Sequence, residues 1–255
     1  MRFALSEDQR LLQDSVTKAL AELSPLERVR RFADTGEATA PDIWKGLADM
    51  GLPSLLIPEE RGGLGLTLLE AALAAEALGR AVAPTPFLGS AVLAPLALML
   101  AGSPAQQARW LPRLAAGEIT AGAAISEPIA GARDGAGVDA SGGKLTGKAL
   151  FAIDAEAADL LVVADRTGGL HLVEQGFERA GMTTIDATRR LSELTFAGTP
   201  AEPLACNRAL ERLRDAAWVM LAADTLGASQ AMLDKAVAYA KERRQFGRLI
   251  GSFQA

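Results

Sequence analysis

The hydrophobic period of this chain changes twice, and no other feature constrains its architecture as strongly. Up to about residue 118, apolar residues recur at helical spacing; from Thr120 they fall into short alternating or β-branched runs; from Asn207 the helical period returns. A helix-period pattern does not settle as a strand, so the order must be helical, then β, then helical. The chain is therefore expected to be α+β. An N-terminal all-helical domain covers 1–118, a middle antiparallel, barrel-like β domain 119–205, and the start of a C-terminal helical domain 206–255.

Local signals place the elements. Ser6 with Gln9 forms a capping box for a helix over 7–23, with Leu12, Val16, Leu20 and Leu23 on one face. Pro41 opens a second helix that Gly51 ends. LPSLLIPEERGGLGL reads as a loop, Thr67 and Glu70 cap a helix up to Gly79, and PTPFLGS reads as a stiff connector into an apolar helix over 88–102. Ser103, Pro104 and Gln106 start the fifth helix, which ends at Gly117. Strands are expected at 120–126, 144–151, 160–164, 170–173, 182–185 and 191–196. Asn207 caps the last helix, whose apolar residues include Leu213, Ala217, Leu221, Leu233 and Val237.

Composition narrows the function classes. With 49% hydrophobic and 22% charged residues the chain is globular, and its net charge of -5 argues against nucleic acid as a partner. The single Cys206 has no disulfide mate or metal-ligand companions, which points to a reducing, cytoplasmic setting. Only one histidine is present, His171, flanked by Leu170 and Leu172 in an expected strand, and it reads as a strand residue. The most apolar run, 91–101, is broken by Pro95 and falls short of the ~20 residues of a membrane span, so it reads as a buried helix.

The last stretch, YAKERRQFGRLIGSFQA, carries chemistry. Arg243 and Arg244 offer planar donors for an anion and Phe246 a ring to stack on, while Gly247 and Gly251 interrupt the helix. As a phrase it resembles the signature of the acyl-CoA dehydrogenase family. WKGLADMGLPSLLIPEERGGLGL, EALGRAVAPTPFLGS, GSPAQQARWLPRLAAGEITAGAAISEP and DATRRLSELTFAGTPAEPL are similar to the other phrases of that family, in its order. The resemblance implies a FAD-dependent enzyme that oxidises an acyl-CoA to the α,β-enoyl-CoA and passes electrons to an electron-transfer flavoprotein. It also implies a homo- or hetero-oligomer, dimer or tetramer, with the C-terminal helices forming a four-helix bundle. Arg243, Gln245, Phe246 and Gln254 would then reach across a subunit interface to the adenosine diphosphate of a neighbour's FAD.

Two β-domain segments complete what the resemblance implies. AISEPIAGARD matches the family's A-x-T-E-P-x-A-G-S-D, so the backbone at Ile125 and the hydroxyl of Ser126 would bond the flavin ring. The family serine that helps hold the pyrophosphate or the thioester falls on Ala132, and its aspartate on Arg133. In the second segment Phe151 keeps the aromatic platform, while Ile153 replaces a threonine at the flavin's reactive edge. An unpaired buried polar atom costs about 1–3 kcal/mol, so these two losses weaken flavin binding unless backbone groups compensate. The catalytic glutamate of most members lies beyond the last residue, and the position used by a minority holds Ala216, Ala217 and Trp218. Asp215 and Asp224 read as helix-surface residues, so no catalytic residue is assigned. Ser252 looks like a helix cap with too little chain after it, and the last helix would expose its apolar stripe, so the chain is expected to be a fragment or to be completed from elsewhere. A non-catalytic partner subunit of a heteromeric dehydrogenase is the alternative, and a flavin monooxygenase of the same fold a more distant one.

Overall fold

The computed structural model describes residues 4–131, 133–205 and 208–253. Ala132, Cys206, Asn207 and Gln254, all singled out above, lie outside the described residues. Helix α1 (Glu7–Leu23) begins at the expected box, with Gln9 N–H on Ser6 Oγ at 3.1 Å and Ser6 N–H on Gln9 Oε1 at 2.9 Å. Helix α2 (Leu26–Thr35) was not legible, because half of LERVRRFADT is charged. What holds it is tertiary: Val29 and Phe32 are buried, and Arg28 reaches Asp42 through Nε and Nη2, each at 2.8 Å, and Glu37 at 3.0 Å. Helix α3 (Pro41–Asp49) starts at its proline, and α4 (Leu68–Ala81) at the Thr67–Glu70 box. A π-helical turn, Leu88–Leu93, runs into α5 (Ala94–Ala101), and α6 (Pro104–Ala115) follows Ser103. Six α-helices therefore stand where five were expected.

The middle of the chain is a sheet with one short helix. In chain order come β1 (Ala121–Ala124), α7 (Ser126–Ala130), β2 (Gly137–Ser141), β3 (Lys144–Ile153), β4 (Leu160–Ala164), β5 (Leu170–Val173), β6 (Phe177–Gly181), β7 (Leu191–Pro200) and β8 (Glu202–Pro203). The strand order is β6-β7-β3-β1-β4-β5-β8, with β2 paired to β3. Pairing is antiparallel except between β1 and β4, which run parallel, so the sheet is mixed. The strand expected at 182–185 is instead a turn: Asp186 Oδ1 accepts from Thr188 N–H at 2.8 Å, Thr184 Oγ1 donates to the Asp186 carbonyl at 2.7 Å, and Ile185 is exposed. Side chains of this kind offer the backbone a local alternative to the ladder. The preceding strand β6 has an almost wholly exposed pattern and gave no alternating signal.

Helix α8 (Ala209–Glu242) returns across the helical region and packs on α4. Two glycines set the approach: a Cβ on Gly79 would stand 2.0 Å from the Asp224 carbonyl oxygen, and one on Gly227 would stand 1.9 Å from that of Glu76. After α8 the chain does not continue as helix but forms a hairpin of β9 (Arg244–Gln245) and β10 (Arg248–Leu249) and one 3-10 turn, Ile250–Ser252. Ser252 does not cap a helix; its hydroxyl donates to the Leu249 carbonyl at 2.7 Å. One hydrophobic cluster joins the helices to one face of β1, β4 and β5, and a second fills the other face of the sheet. Among the described residues no helix is long and apolar enough to cross a membrane.

Candidate functional site

A cavity of about 440 Å³ opens where α4, the segment leading into the π-helical turn, the end of β3, the 186–191 turn and α8 converge. Packing of the π-helical turn on β1 shapes one wall. Ser90 Oγ accepts from Ala121 N–H at 2.8 Å, and Gly89 lies so close that a Cβ would meet the Ala121 carbonyl oxygen at 2.1 Å. Apolar side chains, among them Ala75, Leu78, Phe87, Leu88, Ile153 and Met220, cover most of the walls, and Thr85, Ser126, Asp154, Asp186, Arg189 and Asp224 bring polar atoms.

The end of β3 is distorted where it meets this cavity. The β3–β7 register shifts between Ala149 and Ala152, and Phe151 and Asp154 take left-handed backbone conformations with φ of 55° and 54°. Aspartate tolerates that region; an aromatic residue is uncommon there, and such strain costs of order 1 kcal/mol or more. Ser126 Oγ donates to the Phe151 carbonyl at 3.2 Å, Phe151 N–H points at Met182 Sδ at 3.4 Å, and the Arg133 guanidinium lies 4.6 Å from the centre of the Phe151 ring.

Charge is concentrated beside the ring. Asp154 accepts from Gly89 N–H at 2.8 Å; it keeps some surface where it lines the cavity, yet its carboxyl lies deep enough for burial to push its pKa up to about 6, against the pull of Gly89 and Arg189. Arg189 pairs with Asp224 and donates to the Ala83 carbonyl at 2.8 Å. Burial raises the pKa of Asp224, and Asp186 adds repulsion, while Arg189 opposes both. Arg190 stacks on Phe32 at 4.7 Å and donates to the carbonyls of Phe32 and Glu37, each at 3.1 Å.

The residues singled out from sequence divide into two groups. Ser126, Phe151 and Ile153 all line the cavity. The side chain of Ile125 is 2% exposed and belongs to the core, so only its backbone is available to a ligand. Arg243, Gln245 and Phe246 lie beyond the far end of α8, and none of them lines the cavity. Phe246 is 92% exposed and meets Phe253 edge to face at 6.3 Å, Arg248 stacks on Phe253 at 3.9 Å, and Gln245 Nε2 donates to the Arg244 carbonyl at 2.9 Å. Of the two aspartates read as surface residues, Asp215 is exposed and held by Arg214 at 2.8 Å, whereas Asp224 faces the cavity. His171 lies on β5, with Nε2 2.8 Å from Asp165 Oδ2, a strand residue as expected. Thr85, Asp154, Asp186, Arg189 and Arg190 were given no role: Thr85 sits in the expected connector and the others lie between expected strands, and only the fold brings them together.

The cavity suits a planar aromatic cofactor. Phe151 presents a ring, Ile153, Leu191 and Met220 offer apolar surface, and Ser126, whose proton is used on Phe151, keeps lone pairs beside it. The guanidiniums and ring at the end of α8 suit a phosphate-bearing group, and belong to a different part of the surface. Among the described residues no group of three or more His, Cys, Asp or Glu is placed to hold a metal.

Comparison with known proteins bears on both groups. Residues 6–118 match the family model described as acyl-CoA dehydrogenase, N-terminal domain, and residues 207–255 match acyl-CoA dehydrogenase, C-terminal domain. The chain is 34% identical over 250 residues to the acyl-CoA dehydrogenase IpdE2 of Mycobacterium tuberculosis, covering 98% of this chain and 69% of that protein. Among solved structures it is similar to the Tcur3481-Tcur3483 steroid ACAD, at 29% identity and a TM-score of 0.85 over 97% of this chain and 70% of that one. It is also similar to the ChsE4-ChsE5 complex from Mycobacterium tuberculosis, at 25% identity and a TM-score of 0.89 over 99% of this chain and 72% of that one.

Proposed function

The chain belongs to the acyl-CoA dehydrogenase family, and from that premise we propose that it serves the α,β-dehydrogenation of an acyl-CoA thioester to the enoyl-CoA. FAD is the cofactor of the family, and when bound it takes the β-hydride and passes electrons on, here to an electron-transfer flavoprotein. The observation that carries this reading is the cavity itself, in which the left-handed Phe151 and the hydroxyl of Ser126 stand among apolar walls from α4 and α8. Phe151, Ile153, Ser126 and the Ile125 backbone would hold the flavin ring, and Ala132, outside the described residues, would take the family serine's place toward the thioester. The apolar walls exclude water, which strengthens every charge interaction inside. Arg243, Gln245, Phe246 and Gln254 engage the adenosine diphosphate of FAD in an adjoining subunit, of this chain or of a relative. We propose a cytoplasmic setting, with which a single cysteine lacking a disulfide mate agrees.

No carboxylate is assigned as the base. Asp224 is committed to Arg189, and Ala216 and Ala217 face the core. The reading is tested by the flavin content and visible spectrum of the full-length protein, purified alone and with its genomic neighbour, before and after addition of a panel of acyl-CoAs. Protein that retains FAD and is bleached by an acyl-CoA supports it. Protein that takes up no FAD and binds no CoA thioester in either preparation sinks it.

A further inference from the structure

One polar side chain in the cavity meets nothing. Thr85 is nine-tenths buried, and its Oγ1 has no hydrogen-bond partner among the described residues. It lines the 440 Å³ cavity and also a smaller one of about 30 Å³, as do Asp154 and Arg190, so the two cavities adjoin at this wall. A hydroxyl left unpaired in an apolar setting is unfavourable and calls for a partner.

Most other polar groups of the wall are held. Arg189 is held by Asp224 and the Ala83 carbonyl, Arg190 by the carbonyls of Phe32 and Glu37, and one oxygen of Asp186 by Thr188. Among the described residues Asp186 and Asp224 each keep a second oxygen free, but neither lines the smaller cavity with Thr85, as Asp154 does. Gly89 N–H reaches Asp154 Oδ2 at 2.8 Å, and no other hydrogen bond among the described residues reaches its carboxyl, although Arg189 is near enough to act on its charge. Thr85 and Asp154 are not bonded to each other. What remains available where the two cavities adjoin is thus a hydroxyl that can give or accept a hydrogen bond and a carboxylate that accepts one when ionised, with Ala75, Leu78, Phe87, Leu88 and Met220 among the apolar walls.

One ligand group completes this pair. We propose that the acyl group bound in this cavity is an apolar body bearing a hydroxyl, which donates to Asp154 and accepts from Thr85. The inference rests on the acyl-CoA reading above and adds the substrate class. A ketone at the same place would set its lone pairs against the carboxylate, and an unsubstituted chain would leave both groups unpaired.

The test uses the FAD-loaded, full-length protein and calorimetric titration. Octanoyl-CoA is compared with hydroxyoctanoyl-CoA isomers in which the hydroxyl moves carbon by carbon to the chain end, and with the corresponding oxo compounds. At least one hydroxy isomer is expected to bind about tenfold more tightly than octanoyl-CoA, because a site built to bond a hydroxyl discriminates against the analogue that lacks it. Its oxo counterpart should show no such gain. Thr85→Val should cut the gain over octanoyl-CoA measured in the same variant, leaving only the bond to Asp154, and Thr85→Ser should restore it. Melting curves of both variants verify that the fold is kept. Equal binding of octanoyl-CoA and every hydroxy isomer overturns the inference and leaves the dehydrogenase reading standing, as does a gain that Thr85→Val leaves undiminished. Binding of no thioester at all overturns both.

Discussion

Two phenylalanines with the same backbone conformation have opposite surroundings. Phe151 and Phe246 both sit in the left-handed region, with φ of 55° and 50°. The first stands at the edge of an enclosed cavity with Arg133 over its ring and its carbonyl bonded by Ser126. The second is 92% exposed at the tip of a hairpin beyond α8. Strain at the first site is held by the bulge in β3 and the packing around it; at the second, this chain returns little for it. Unfavourable local geometry persists where the surroundings over-determine it or where function selects it. Under the proposed function, the cavity serves chemistry within this chain and the hairpin serves the cofactor of an adjoining subunit. The outer face of α8 extends the exposed side of the comparison, with Trp218, Leu226, Leu233 and Tyr239 all more than a third exposed.

The largest effect is expected where the cavity is closed. Helices α4 and α8 approach through Gly79 and Gly227, and a Cβ on Gly227 would stand 1.9 Å from a backbone oxygen that cannot rotate away. Gly227→Leu should force the helices apart and destabilise the protein by about 3 kcal/mol or more, read by chemical denaturation, with loss of ligand binding. A bulky substitution at exposed Leu233, on the same helix, should change stability by less than about 0.5 kcal/mol. Equal effects at the two positions would erase the distinction between the two faces.

Next in size is the contribution of Asp154. Its folded pKa of about 6 lies above the usual carboxylate value of 3.8, so the folded state holds this proton more tightly than the unfolded chain does. Stability is therefore unaffected below about pH 4, falls as pH rises to about 6, and stays lowered above that. Asp154→Asn keeps an acceptor for Gly89 N–H and removes the charge. It should stabilise the protein by about 1–3 kcal/mol near pH 8 and by almost nothing near pH 4. A pH-independent effect would mean that packing, rather than charge, sets the difference.

How much of this was legible depends on where the information lies. Capping boxes at Ser6, Thr67 and Ser103 act within four residues, and each appears in the structure as read. The change of period marked the sheet for the same reason, since alternation is a property of the strand itself. Helix α2 escaped because Arg28 owes its place to Asp42 and Glu37 farther along the chain. In the site, Phe151 and Ser126 were found because the family phrases give them roles, whereas Thr85, Asp154 and Arg189 lie in family-like phrases that gave them none, and only the fold brings their three segments together. The hairpin after α8 was read as the end of a helix: its rings and guanidiniums were found, and its backbone was not.

The smallest effect on stability should come from the exposed ring, and there the comparison is sharpest. Asparagine tolerates the left-handed region better than phenylalanine does, and Phe246 buries almost nothing. Phe246→Asn should therefore leave stability unchanged or raise it by less than about 1 kcal/mol. If the hairpin serves the FAD of an adjoining subunit, the same substitution should lower FAD affinity about tenfold, as loss of a stacking surface and its ordered neighbours would. Phe151→Ala should also weaken FAD binding, but through the other end of the cofactor and within its own chain. Mixing the two variants separates the possibilities: in a self-associating protein, a mixed pair holds one site with both phenylalanines intact, and FAD binding partly recovers. No recovery on mixing would place Phe151 and Phe246 on the same FAD within one chain, or would require the second chain of the assembly to be a relative instead of a copy. Repeating the titration with that relative present then decides between these, because only in the second case does the Phe246→Asn defect appear solely in the joint assembly.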